Sequence, residues 1–109
     1  MAERDVIITG IGIVTSLGEG IGPHVAALDG FSQRIDATTF APYVVHPAVP
    51  VELDRQIPKK ADQRQMEPWQ RYGTYAAGAA LEDAGVKGDA AILSKMHLIV
   101  ACGGGERDY

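Results

Sequence analysis

The sequence predicts an α/β fold, because two short apolar runs have the pattern of buried strands and a helix follows the first of them. Residues 6–8 (Val-Ile-Ile) and residues 98–102 (Leu-Ile-Val-Ala-Cys) are continuously apolar rather than alternating. Such runs are typical of strands that are covered on both faces, as in sheets flanked by helices. A glycine-containing turn and a helix after the first run complete the opening of an α/β unit.

The first predicted helix follows a glycine-rich turn. Gly10, Gly12 and Gly18 permit a tight turn or a close approach of the backbone to a neighbouring element. The helix is predicted to have Pro23 in its first turn and to end near Gly30, since proline suits the start of a helix and glycine suits its end.

A long irregular excursion is predicted between the two halves of the chain. Residues 36–58 contain four prolines, which remove backbone donors and interrupt both helices and central strands. We therefore predict an extended surface segment there, with an edge strand at residues 43–45.

The most informative element is the helix predicted after this excursion. Regular structure resumes at residues 62–67, Pro68 lies near the first helical position, and the helix is predicted to run to Ala84 with Gly85 as its left-handed terminator. Residues 72–81 contain no charge over ten positions. A helix without a charged side is predicted to be covered around most of its circumference.

Together, these elements need more cover than a chain of 109 residues can supply. A small domain hides a smaller fraction of its surface than a large one and normally keeps its helices amphipathic. We therefore predict that residues 1–109 are a partial domain without an internal boundary, belonging to a larger core.

Composition excludes several classes of protein. The chain has 10 Lys and Arg against 14 Asp and Glu, a net charge of −4, which argues against nucleic-acid binding. Its single cysteine cannot form an internal disulfide. No apolar run is long enough for a membrane span or a signal peptide, so a cytoplasmic location without a membrane span is expected.

The candidate sites are weak when taken from the residues alone. The three histidines lack metal-site spacing, so no metal is predicted. Gly10 and Gly12 begin a dinucleotide-binding pattern, but its third glycine is replaced by Thr15, so a structural turn is favoured over a nucleotide site. Cys102 ends an apolar run and is predicted to be a buried core residue rather than a nucleophile.

Two further features leave alternatives open. The three glycines at residues 103–105 would fit a ligand tunnel, although a plain loop is favoured. Half of the ten basic residues fall within 17 positions, and they would suit either an acidic partner or a solvated helix entrance: Arg55, Lys59, Lys60, Arg64 and Arg71.

With these residues in view, the chain resembles the amino-terminal part of a β-ketoacyl-acyl-carrier-protein synthase, a condensing enzyme with a thiolase-like fold. The stretches that carry the resemblance are residues 6–12 with Val14 and Gly18, residues 27–32, and residues 63–73 running into residues 76–85. His24 stands where the family often has tryptophan, and Gln33 and Arg34 replace a usual glycine turn.

The resemblance implies a layered αβαβα fold with a mixed sheet flanked by helices, of which this chain is about the first quarter. It implies an acyltransferase of fatty acid or related acyl-chain synthesis that condenses an acyl thioester with malonyl-carrier protein by decarboxylation. The family's nucleophilic cysteine and two histidines lie beyond Tyr109, so no catalytic residue is assigned. A non-catalytic subunit resembling a chain-length factor and a small nucleotide-binding domain are the alternatives.

The resemblance also implies partners. Family members are homodimers, need no metal or nucleotide cofactor, and receive an acidic acyl carrier protein on basic residues near the segment matching residues 60–66. Arg64 matches one docking position, and Lys60 is a neighbouring substitute, since Ala61 and Gln65 stand where the family often has lysine. Arg64 and Lys60 are therefore the predicted docking residues.

Overall fold

A computed structural model describes residues 4–103 of the chain. These residues form a two-stranded hairpin, four α-helices and one 3-10 helix. In chain order the elements are β1 (Val14–Thr15), β2 (Gly18–Glu19), α1 (Ile21–Gly30), the 3-10 helix Leu53–Arg55, α2 (Lys60–Gln65), α3 (Pro68–Asp83) and α4 (Ala90–Leu93). The layered thiolase-like fold stays a prediction, since the described residues contain no larger sheet.

The hairpin and α1 occupy the region predicted as a glycine turn and a helix. Strands β1 and β2 pair antiparallel, with Thr15 opposite Gly18. The predicted helix is confirmed as α1, although it starts at Ile21. It ends at Phe31 in the left-handed conformation (φ 52°), and the next amide, that of Ser32, donates to the carbonyl of Ala27 at 2.9 Å. This is the usual bonding of a helix end with a left-handed residue.

The excursion after α1 is irregular, as predicted, but the edge strand at residues 43–45 is wrong. Only a single antiparallel bridge joins Asp36 to Val45. The Asp36 carboxylate ends this turn by accepting the amides of Thr38 at 3.0 Å and Thr39 at 2.9 Å. Hydrogen bonds from Thr39 and then Thr38 lower the pKa of Asp36 to about 2.

The segment predicted to resume regular structure before α3 forms a separate helix. Helix α2 ends where Met66 adopts an extended conformation (φ −93°, ψ 141°). Glu67 then caps α3 through a reciprocal capping box with Gln70, and Pro68 is the first helical residue. The predicted end of α3 is confirmed, because Gly85 follows it with φ 74°.

Gly10 and Gly12 lie against α3, which confirms the predicted close approach of the backbone. A Cβ atom at Gly12 would collide with the carbonyl oxygen of Ala76 and lie 2.7 Å from the amide nitrogen of Ala80. A Cβ atom at Gly10 would likewise collide with the carbonyl of Ala80. No side chain fits between these backbones, so glycine is required at both positions.

The two segments predicted as buried strands are neither in strands nor buried within residues 4–103, and their burial in a larger fold stays a prediction. Residues 6–8 and 98–102 belong to no strand of the described part of the chain. Val6 is 96% exposed and Ile99 is 92% exposed. The apolar side chains of both segments are exposed, because no element among residues 4–103 covers them.

The chain is more open than a complete domain of its size. Its accessible surface is 8685 Å², whereas a folded monomer of 11.6 kDa exposes about 5,800 Å². Its radius of gyration is 16.6 Å, against about 13 Å for a compact domain of this length. Among the described residues, the buried hydrophobic residues are Ile57 and Tyr75, which are 4% and 2% exposed. Residues 4–103 therefore lack a core of normal size.

Candidate functional site

Lys60 and Arg64, the predicted docking residues, lie four positions apart on α2 and share one side of that helix. The buried side chain of Gln63 holds α2 in place. Its Nε2 donates to the carbonyl of Ile57 at 2.6 Å and to Oδ1 of Asp54 at 2.7 Å. Because a buried amide without partners is costly, these bonds fix α2 against the 3-10 helix. No motif in the sequence marks Gln63 for this role.

Lys60 is not a free cation. Its Nζ lies 2.7 Å from Oδ1 of Asp54, in an exposed ion pair. The pKa of Asp54 is lowered, first by the hydrogen bond from Lys60 and then by that from Gln63. Since Asp54 offsets the charge of Lys60 locally, Lys60 attracts an acidic partner less than an unpaired lysine would.

Arg64 is exposed, and its side chain makes no hydrogen bond or ion pair with residues 4–103. Lys59 is also exposed, and it too has no such partner there. Arg71 differs, because its Nε donates to the carbonyl of Gln63 at 2.8 Å. The predicted basic cluster is therefore divided, and Arg64 and Lys59 are its two members that are open to an anionic partner.

Arg55, another member of the cluster, joins the hairpin to α3. Its guanidinium lies 3.3 Å from Oε1 of Glu19 and donates to the Tyr75 hydroxyl at 3.3 Å. The Tyr75 hydroxyl in turn donates to Oε2 of Glu19 at 2.9 Å. Burial of Tyr75 and its hydrogen bond to Glu19 raise the pKa of this tyrosine. Arg55 is thus a structural residue, engaged by partners of the chain itself.

Glu82, near the end of α3, extends the same network. Its Oε1 accepts hydrogen bonds from Gln56 and from Lys87, each at 2.9 Å. The guanidinium of Arg55 lies 3.9 Å from its other oxygen. The pKa of Glu82 is lowered, chiefly by Lys87 and then by Gln56. The charges of Arg55 and Lys87 are thus paired with those of Glu19 and Glu82 within the network.

His24 has a local structural role. Its Nδ1 lies 2.6 Å from the carbonyl oxygen of Gly20, and its Nε2 lies 2.6 Å from the Thr15 hydroxyl. A carbonyl can only accept, so Nδ1 carries the proton of that bond. Residues 4–103 hold no group of three or more His, Cys, Asp or Glu side chains that could bind a metal.

The glycines of the partial dinucleotide pattern serve packing rather than phosphate binding in this structure. Gly10 and Gly12 face α3, and Thr15 lies in β1 instead of at the start of a helix. The amide of Ile11, between the glycines, donates to the Asp83 carboxylate at 2.9 Å. The Ile11 amide is therefore already engaged by a carboxylate of the chain itself.

Helix α3 has two stripes of small residues, one covered by backbone and the other open to a groove. The covered stripe, Ala76 and Ala80, lies beneath Gly10 and Gly12. The open stripe, formed by Gly73, Thr74 and Ala77, faces an apolar groove of about 630 Å³ between α3 and segment 98–102. The residues that line this groove are Met66, Trp69, Gln70, Gly73, Thr74, Ala77, Leu98, Val100, Ala101 and Cys102.

Cys102 lines this groove and is exposed, so its predicted burial is wrong. The cause is the same as for its neighbours, because nothing among the described residues covers segment 98–102. Among residues 4–103, the lining of the groove includes no His, Asp, Glu, Lys or Arg that would form or stabilise a thiolate. Cys102 is therefore not placed as a nucleophile. Of the glycine run at residues 103–105, positions 104 and 105 lie outside the described residues.

Comparison of the chain with models of known protein families, with curated proteins and with solved structures finds no match in any of the three. Within residues 4–103, no helix combines the length and the apolar character needed to cross a bilayer. Assignment of function therefore depends on the site geometry and on the resemblance in sequence.

Proposed function

We propose that this chain is the amino-terminal portion of a β-ketoacyl-acyl-carrier-protein synthase-type enzyme. The observation that carries the proposal is the contact of Gly10 and Gly12 with α3 beside apolar segments that lack cover. The chain exposes about 2,900 Å² more than a complete monomer of its mass. This excess supports a partial domain whose strands belong to the interior of a larger layered fold.

The proposed reaction proceeds in two steps on residues beyond this chain. A cysteine thiolate attacks the acyl thioester of the carrier protein, which forms an acyl-enzyme and releases the carrier's thiol. Malonyl-carrier protein then loses carbon dioxide, and its carbanion attacks the acyl-enzyme and expels the cysteine thiolate. Backbone amides stabilise the oxyanion. Residues 1–109 contribute structure and docking rather than the nucleophile.

The role proposed for this chain's own residues is docking of the acyl carrier protein. Arg64 is exposed and unpaired among residues 4–103, and Gln63 fixes the helix that presents it. Lys59, which precedes α2, adds a second unpaired cation. Lys60 contributes less, because Asp54 holds it at 2.7 Å. Attraction of an acidic partner to such a surface mainly raises the rate of association.

The test is a charge reversal in the complete protein. Arg64→Glu is expected to raise the KM for carrier-protein substrates several-fold, because a rim charge affects encounter with an oppositely charged partner. The KM for small thioester mimics is expected to stay unchanged. Lys95→Glu is the matched control, since Lys95 is exposed, lies outside α2 and makes no side-chain bond with residues 4–103. An equal KM for carrier protein in wild type and Arg64→Glu would refute the docking role.

The enzyme class has its own test. The complete protein is expected to condense an acyl thioester with malonyl-carrier protein and to lose this activity after alkylation of its reactive thiol. Cys102→Ala should retain the activity, because no base among residues 4–103 lines the groove beside Cys102. A complete protein that binds carrier protein but never condenses would instead be the non-catalytic subunit. Saturable nucleotide binding in calorimetry would favour the nucleotide-binding alternative.

A further inference from the structure

The carboxylate of Asp54 is shared by two side chains of α2 that differ in how firmly they are held. Its Oδ1 accepts hydrogen bonds from Nε2 of Gln63 and from Nζ of Lys60, each at 2.7 Å. Gln63 is buried, and its Nε2 also donates to the carbonyl of Ile57 at 2.6 Å. The side chain of Lys60 is 64% exposed, and Asp54 is its only side-chain partner among residues 4–103. Gln63 therefore fixes the carboxylate, whereas Lys60 is free to leave it.

Departure of Lys60 would leave no buried charge behind. The side chain of Asp54 is about half exposed, so water can take the place of the ammonium group, and Gln63 still donates to Oδ1. Exposed ion pairs of this kind shift an equilibrium by about fivefold or less. A weak attraction to another carboxylate is therefore enough to compete with Asp54 for Lys60.

Release of Lys60 would add a second cation beside Arg64. The two residues are four positions apart on α2, a spacing at which side chains are neighbours on the helix surface. Arg64 is exposed and makes no side-chain hydrogen bond or ion pair with residues 4–103. An acidic partner that pairs with Arg64 thus brings further carboxylates close to Lys60.

We propose that an acidic polypeptide displaces Asp54 from Lys60 on docking, so that Asp54 is an internal competitor that limits the affinity of this surface. Asp54 is a positioning residue, since it acts through Lys60. A partner with one anionic group pairs with Arg64 alone, whereas a partner with two neighbouring anionic groups also gains Lys60. The identity of the partner as an acyl carrier protein rests on the proposed function, but the exchange of Lys60 rests on the geometry alone.

The first test uses a carbodiimide, which joins an amine to a carboxylate in contact with it as an amide, with net loss of water. The complete protein is treated alone and then with an excess of an acetylated deca-glutamate peptide, which offers carboxylates and no amine. Mass spectrometry of proteolytic fragments is expected to find Lys60 joined to Asp54 in the free protein and to the peptide in the mixture. The link between Lys87 and Glu82 is the control and should persist, because Lys87 is also held by Gln56.

The outcomes separate this proposal from the proposed function. A link between Lys60 and Asp54 that is absent from the free protein, or that is unchanged in excess peptide, would refute the exchange. The experiment is then repeated with acyl carrier protein in place of the peptide. A link from Lys60 to the peptide but not to the carrier protein would support the exchange and contradict docking of the carrier. Links from Lys60 to both would support both.

The second test measures affinity. Asp54→Asn keeps Oδ1 as an acceptor for Gln63 and removes the negative charge. The dissociation constant of fluorescent deca-glutamate is measured by anisotropy at low salt, where exposed charges are least screened. Asp54→Asn is expected to bind the peptide about two- to fivefold more tightly than wild type. In a double-mutant cycle, Lys60→Gln is expected to abolish this gain.

Asp62→Asn is the matched control, because it removes the same charge from an exposed position of α2. The Asp62 side chain makes no bond with residues 4–103, and it lies two positions from Lys60, a spacing at which side chains do not face each other. Its effect on affinity is expected to be the same with and without Lys60. An equal gain from Asp54→Asn in the Lys60 and Lys60→Gln backgrounds would contradict the proposal, because net charge alone would then account for it.

Discussion

The covered stripe and the open stripe of α3 belong to one helix and are built from similar small residues, yet they meet different surroundings. Ala76 and Ala80 lie under backbone that approaches too closely for any side chain. Gly73, on the open stripe, has nothing within 4 Å of the position its Cβ would take. Small residues thus permit close backbone packing on the covered stripe, whereas on the open stripe no backbone approaches Gly73 as closely. The difference shows that small residues indicate that a helix can be closely packed, but they do not indicate which element packs against it.

The largest effect is expected where the covered stripe is tightest. Gly12→Ala should lower the free energy of unfolding by about 1–3 kcal/mol, because the new methyl group meets the backbone of α3. Gly73→Ala is the matched change on the open stripe. It should raise the free energy by about 0.5–1 kcal/mol, since alanine favours the helix interior and has room. Urea unfolding of both variants measures the contrast, and effects of the same sign would remove it.

A second, smaller effect is expected in the polar network around Glu82, near the end of α3. The pKa of Glu82 is lowered in the folded chain by Lys87 and Gln56. A carboxylate with a lowered folded pKa adds stability that is present above its unfolded pKa and is lost as the pH falls through the folded value. Stability should therefore fall on acidification below the ordinary range of a glutamate. Glu82→Gln should flatten this part of the curve relative to wild type.

The control for that experiment is Lys87→Met, which removes the largest cause of the lowered pKa and keeps the carboxylate. Wild type, Glu82→Gln and Lys87→Met are compared by urea unfolding at several pH values. If the free energy of unfolding fell equally at acidic pH in all three proteins, Glu82 would not contribute to the pH dependence of stability.

The smallest effect is expected on the open side. Ile99→Ser should change the stability of the separate chain by less than about 0.5 kcal/mol, because Ile99 is exposed and packs against little. The same change in the full-length protein should destabilise it more, since the partial-domain proposal places this residue in an interior. Thermal unfolding of both forms checks this, and equal small effects would count against a covering layer.

Local sequence predicts those elements whose causes are local. The start of α3 at Pro68 and its end before Gly85 follow from capping chemistry within the segment itself. The hairpin β1–β2 has only two residues per strand, which is too short for a period-two pattern to show. The separation of α2 from α3 depends on the capping box of Glu67 with Gln70, which the prediction of resumed structure at residues 62–67 did not resolve.

Burial and site chemistry depend on distant partners and are predicted less well. The apolar runs at residues 6–8 and 98–102 were expected to be covered, but no element among residues 4–103 covers them. The basic cluster looked uniform in sequence, yet Asp54 pairs with Lys60 while Arg64 stays unpaired within the described part of the chain. Gln63, which holds the helix of Arg64, carries no sequence signal, because its partners are set by three-dimensional contacts.

The break at Met66 and Glu67 separates the position of α2 from the packing of α3, which a single long helix would have coupled. Helix α2 is held from the side of the 3-10 helix by Gln63, and α3 begins with its own cap. In a deep mutational scan, substitutions in α2 and in α3 should therefore have independent effects, although the two helices adjoin in sequence. The direction in which Arg64 points can then diverge between related proteins while the packing of α3 is retained.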